Sequence, residues 1–243
     1  MSRRFVVPFL SLLLCASASA GHRFSASATA VSGEHRTAVA SVALPPSGGD
    51  AANVVRDYDD GLVRFAEATT AVHGAREGDV AFTSTSTEIR DVWIAGRIHV
   101  DRLVVRTNAR QHVEDAEASI DFEGSLIEGL SIDGKGVEVG LDTQFFAKHP
   151  TFASLGGGAD FMNCSAYAVA TCHGGLRGIR IPDLGFLSIG DVFIKNGARS
   201  ISMLRLHPMP RSRRVRTNDD PPPPDPGPVT IGDSGSNGVP IWP

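Results

Sequence analysis

The sequence predicts an all-β protein, an antiparallel sandwich or a strongly curled, barrel-like sheet, with one short helical insertion near residues 142–155. Three observations predict it. Segments of alternating apolar and polar residues recur from the N-terminal region to about residue 207. β-Branched residues crowd those segments, as in "DVAFTSTSTEIRDVWI". Gly, Pro and Asn-Gly punctuation separates them at short intervals.

In chain order, residues 1–20 read as a signal peptide. Arg3 and Arg4 precede the short apolar run "FVVPFLSLLLCA", and "ASA" before Gly21 supplies a small-residue cleavage pattern, so cleavage is expected after Ala20. Export follows: the protein is expected to be secreted, or periplasmic and part of the cell envelope. Removing the leader leaves 223 of the 243 residues, with 21 basic against 27 acidic side chains. That balance gives no basic field to attract nucleic acid, and no second apolar run is long enough to form a transmembrane span.

"TAVASVAL" alternates and stops at "PPSGGD"; "LVRFAEATTAV" is a second strand, ended by Gly74. In "IHVDRLVVRTN" the apolar positions slip by one near Asp101, which predicts a bulge there. "DGKG" at 133–136 predicts a tight turn, and Asn196-Gly197 between "FLSIGDVFIK" and "ARSISMLRL" predicts a second hairpin. "DTQFFAKHPTFASL" carries N-cap candidates Asp142 and Thr143 and an interrupting Pro150, hence the short helical insertion. From Pro208 the composition turns to Pro, Gly, Ser and charge. The expected organisation is therefore a leader at 1–20, a single β-rich domain at 21–207, and a Pro/Gly-rich, largely disordered tail at 208–243, in which 208–228 read as an extended linker and Val229, Ile231 and Trp242 are candidates for a short docked end.

The stretches "SASATAVSG", "VALPPSGGDAA" and "IEGLSIDGKGVEV" resemble secreted bacterial domains of the choice-of-anchor P type, over roughly Phe24 to Leu141. The resemblance implies export and a β-rich domain tied to varied surface anchors. It supplies no catalytic residues.

Candidate chemistry begins at the C-terminus. "GDSG" around Ser234 resembles the nucleophile loop of trypsin-like proteases, and His73 and Asp101 precede it in the same chain order. Only nine residues follow Ser234, however, and the family's pocket needs large β segments there. The expectation is that this triad is coincidental, and that Ser234 lies in a turn of a flexible tail where Ser234→Ala leaves folding untouched. "DYDDG" gathers Asp57, Asp59 and Asp60, but Gly61 and Ala68 break the EF-hand register, so a solvated turn is expected. The eight histidines show no H-x-H or HExxH spacing; His99 and His112 lie on predicted strands and are expected to be a satisfied or exposed pair rather than a ligand set. Neither a metal nor a cofactor is expected, and no catalytic residue is assigned. Arg211, Arg213, Arg214 and Arg216 read as a soluble charged linker balanced by Asp219 and Asp220.

Two cysteines remain after the leader, Cys164 and Cys172. An exported chain favours a disulfide between them. Either "CSAYAVATC" doubles back to bring them within the ~7 Å a bridge allows, or both stay free. The functional expectation is an exported, non-catalytic β domain with a structural or binding role, its partner an unknown envelope component or polymer; a secreted hydrolase is the alternative.

Overall fold

The computed structural model describes residues 24–115, 118–140, 164–165, 172–173, 176–195, 198–209 and 227–236; within 164–177 and 192–199, and at 236, it describes the backbone alone. All regular structure among these residues is β. One sheet, A, runs β12 (Cys172–His173), β13 (Leu176–Ile181), β14 (Gly185–Lys195), β15 (Ala198–Pro208), β16 (Val229–Ser236), β1 (Ala26–Gly33) and β2 (Arg36–Ala43), with β11 (Cys164–Ser165) beside β14. The other, B, runs β10 (Lys135–Gly136), β9 (Ser131–Ile132), β6 (Ile98–His112), β5 (Val80–Ile94), β4 (Val63–Glu77) and β3 (Gly49–Asp59), with β7 (Ser119–Asp121) and β8 (Leu126–Glu128) on β6. Every pairing is antiparallel and neither sheet closes into a barrel. The two sheets share one buried core, which makes the architecture a sandwich.

The tail expectation fails for residues 229–236. They form β16, which pairs with β15 on one side and β1 on the other, so they join the N-terminal hairpin to the C-terminal strands. Proline richness upstream hid a short strand whose Val229 and Ile231 are fully buried. The folded unit therefore extends beyond residue 207. The expected helical insertion at 142–155 lies outside the described residues.

Two further local differences have simple causes. Gly74 does not end β4; the strand continues to Glu77, and a Cβ at Gly74 would stand 2.5 Å from Leu44 Cδ2, so its glycine serves close approach. Strand β3 carries few large apolar residues and lies at a sheet edge, which left it unmarked in the alternation. The "DGKG" turn does form, with Asp133 (φ 51°) and Gly134 (φ 73°) as its two central residues. The β14–β15 hairpin pairs from Gly185↔Pro208 to Lys195↔Ala198.

The slip near Asp101 belongs to a larger feature. In sheet B the inward positions switch parity on four neighbouring strands at one level, through Asp57, Ala66, Asp91 and Asp101. Ladder pairs are missing there while the register on both sides is unchanged. Sheet A repeats this through Gly190, Met203, Gly232, Ala30 and Ala40. Left-handed backbone marks alternate strands: Asp57, Asp91, Gly190, Gly232 and Ala40 all have φ between 47° and 65°. Each strand inserts one residue at the same height, so every strand swaps faces together and no pairing is lost elsewhere.

This belt divides the interior. On one side sit Ile94, Ile98, Val100, Leu187, Ile189, Leu204, Leu206 and Ile231, all at or near zero exposure. Each such burial contributes roughly 1.5–3 kcal/mol. On the other side small and hydroxylated residues are frequent, Ala26, Ala28, Ala81 and Ala109 with Thr70, Thr83, Thr85, Thr87, Thr107 and Ser234, beside larger apolar ones such as Phe24, Leu44, Val72, Ile89 and Ile201. The threonine hydroxyls are satisfied by opposing carbonyls, as in Thr87 Oγ1 donating to Asp233 O at 3.1 Å.

Candidate functional site

The three residues of the protease-like motif do not meet. His73, on β4, bonds through Nδ1 to Asp50 Oδ1 at 2.6 Å. Asp101, on β6, is exposed and approaches His99 Nδ1 at 3.7 Å. Ser234, on β16, is fully buried between the sheets, hydrogen-bonded to Thr85 and to Thr107 Oγ1 at 3.1 Å. A serine sealed by threonines, with no histidine among its bonded partners, has no base to activate it. The reason is burial in the core, not the flexible tail the composition suggested.

The "DYDDG" carboxylates are consumed locally. Asp60 accepts from the Leu62 and Val63 amides at 3.0 and 2.8 Å and pairs with Arg36, while Asp59 accepts from the Gly61 amide at 2.8 Å. No group of three or more potential metal ligands occurs among the described residues. His99 and His112 stand at opposite ends of β6. His99 stacks on Trp93 with ring centroids 4.2 Å apart, and Arg64 lies 4.8 Å over the same indole. Asp91 accepts from both Trp93 Nε1 and His99 Nε2 at 2.9 Å, and the His99 bond holds its carboxyl below the usual range. Cys164 lies on β11 opposite Val192 and Cys172 on β12 opposite Arg177; their side chains are outside the description, as are Arg211, Arg213, Arg214 and Arg216.

Two polar constellations emerge that the sequence did not mark. The first is on the outward face of sheet B. Residues paired across strands share a face, so this face is a stack of transverse rows. One row is Asp50, His73, Ser84, Asn108 and Asp121. Within it Ser84 donates to Asn108 Oδ1 and Asn108 Nδ2 to Asp121 Oδ1, both at 2.9 Å. The next row is Ala52, Ala71 and Ser86, continuing to Arg106. The row beyond is Val54, Thr69, Glu88 and Val104. The small side chains of the second row, beside the taller Asp50–His73 row, leave a depression of about 360 Å³, lined by Asp50, Ala51, Ala52, Ala71, Val72, His73, Ser84 and Ser86. Phe82 supports the His73 ring from the neighbouring strand, centroids 5.3 Å apart. Further along the face, partial burial pushes the Glu88 carboxyl up, but hydrogen bonds from Arg102 and Arg90 outweigh it and leave it below its usual value.

The second constellation is on the outward side of sheet A. Ser188 Oγ donates to Asp191 Oδ2 at 2.7 Å and lies 3.2 Å from His207 Nε2. Ser188 Oγ also reaches Arg205 O at 3.3 Å, so its one proton is shared among alternative acceptors, and whether His207 gives or takes a proton here depends on its tautomer. Burial pushes the Asp191 carboxyl up and the His207 imidazole down. Asp233 is raised further, to about 6, because burial outweighs a hydrogen bond from the Ser234 backbone and the charge of Arg205. Its residue keeps partial exposure, yet Oδ1 is sealed and has no hydrogen-bond partner in the described structure. Ionising these half-buried and buried carboxyls is thus a cost to the fold.

Residues 22–168 match a family described as a domain of unknown function, DUF8256. The chain belongs to this family. No curated protein and no solved structure matches the chain significantly. The matched segment holds the whole of sheet B and the β1–β2 hairpin, and ends before β12 to β16. All the residues named for the depression lie inside it.

Proposed function

We propose that this DUF8256 chain is an exported, non-catalytic β-sandwich module of the cell envelope or extracellular space, with a structural or binding role exercised through the outward face of sheet B. The observation that carries this reading is the transverse depression over Ala52, Ala71 and Ser86, beside the Asp50–His73–Ser84 row. It is shallow and rests on a rigid ladder, which suits holding a ligand more than enclosing a reaction. The leader-like N-terminus and the resemblance to choice-of-anchor P domains support export. A bridge between Cys164 and Cys172 belongs to the same reading, since an oxidising compartment would stabilise it.

Two measurements test the proposal on the full chain. Produced in a bacterial host, the protein is expected in the periplasm or medium without residues 1–20, and intact mass spectrometry reads that directly. Recovery in the cytoplasm with an intact N-terminus overturns export. Peptidase, esterase and glycosidase substrates are expected to show no turnover. A turnover lost on Ser188→Ala or Asp191→Asn, with folding retained, would instead establish a hydrolase on sheet A.

A further inference from the structure

We infer that the depression on sheet B binds a neutral glycan chain laid across the strands, an assignment that rests on the binding role proposed above. The floor, Ala52, Ala71 and Ser86, crosses three strands, a length of roughly 10 Å at the usual strand spacing. That suits a short stretch of linear sugar chain rather than a single small ion. The volume of about 360 Å³ is likewise at the lower end for an organic ligand.

The chemistry of the lining narrows the class. Its polar groups are one carboxylate (Asp50), one imidazole (His73) and two hydroxyls (Ser84 and Ser86). A carboxylate accepts from two hydroxyls at once, an imidazole nitrogen and serine hydroxyls both give and accept, and together they match the alternating donors and acceptors of a polyol. Asp50 and His73 are already fixed to each other at 2.6 Å, and Ser84 is fixed to Asn108 at 2.9 Å. The wall is therefore preorganised before any ligand arrives. Among the described residues no Lys or Arg lines the depression, so an anionic polymer finds no counter-charge from them there. An extended peptide is disfavoured too. Laid across the strands, a peptide finds the amides and carbonyls of β4 and β5 committed to their ladders on both sides, and the alanine floor offers no socket for side chains.

The test is affinity electrophoresis of the full chain in gels containing a soluble neutral polysaccharide: mixed-linkage β-glucan, xylan, galactomannan or dextran. Retardation by at least one is expected. It should fall by about tenfold or more in His73→Ala and in Ala71→Leu, which fills the floor, and stay unchanged in Glu34→Gln on the far turn. Thermal melting of each variant separates lost binding from lost fold. No retardation by any of the four, or retardation indifferent to both groove variants, overturns the glycan assignment. Retention on native envelope material then decides the broader reading. If Ala71→Leu abolishes it, only the ligand class was wrong; if retention is absent or unaffected, the binding role of this face falls as well.

Discussion

Replacing Ser234 by Ala removes one oxygen from the place where β16 meets sheet B, and its effect can be worked from the structure. The side chain is fully buried and its hydroxyl joins Thr85 and Thr107. After the change Thr85 keeps an acceptor in Thr107 O at 3.4 Å, while Thr107 Oγ1 loses its donor. One or two hydrogen bonds at ~0.5–1.5 kcal/mol each, and one weakly satisfied buried hydroxyl, give a loss of about 1–3 kcal/mol. Urea denaturation followed by circular dichroism should show the lower midpoint with an unchanged slope. Replacing Thr107 by Val in the Ser234→Ala background should cost less than the sum of the single changes, because the stranded hydroxyl goes with it. A serine in a loose C-terminal turn would change stability by no more than ~0.5 kcal/mol. A variant with the wild-type midpoint would therefore refute the placement of β16 between β1 and β15.

The remaining predictions address other parts of the fold. The Asp233 carboxyl, raised to about 6 from 3.8, is disfavoured in its ionised form, so its contribution is greatest below pH ~4 and is lost as pH rises through 6. Asp233→Asn should accordingly be more stable than wild type at pH 7.5, by at most about 3 kcal/mol, with the gap closing by pH ~4 in paired urea titrations. A constant gap across that range would mean that charge burial is not its cause. Ala95 and Gly96 form the β5–β6 turn with φ values of 53° and 64°, so Ala95→Asn should stabilise by up to ~1 kcal/mol, read as a higher melting temperature. A segment ending at residue 168 lacks Leu187, Ile189, Ile201, Leu204, Leu206, Val229 and Ile231, each buried and worth roughly 1.5–3 kcal/mol. That loss rivals the ~5–15 kcal/mol of a whole domain, so the segment should show no cooperative melting, and a sharp transition would contradict it.

Alternation revealed what lay on two-faced strands. β4, β5 and β6 were readable because core positions repeat every second residue between turn signals, and the Asp133-Gly134 turn because its chemistry is local. The slip at Asp101 was visible too, but not its meaning: only the neighbouring strands show that Asp57, Ala66 and Asp91 slip at the same height. β16 was hidden because Gly232, Asp233, Ser234 and Gly235 are poor strand formers, tolerated only where flanking strands and a threonine-lined interior receive them. The candidate sites were illegible for the same reason. Asp50 is 23 residues from His73, and nothing in the spacing says that β3 pairs with β4 so that the two meet. The "GDSG" motif misleads in reverse: its composition signals a nucleophile, whereas its surroundings make it core.

The family match and the fold divide this chain at different places, and the difference bears on where function lies. The family match covers residues 22–168, which include sheet B and its outward depression. Sheet A needs β14, β15 and β16 to cover that sheet's inner face, and these come from residues beyond the match. The buried network of Ser188, Asp191, His207 and Asp233 also lies beyond it. A role carried by the matched segment alone would not draw on that network. It can depend on the sheet B face, whose rows are fixed by pairings formed entirely within the matched segment. On this view β12 to β16 supply the second layer that buries the inner face, and the first layer carries the recognition surface.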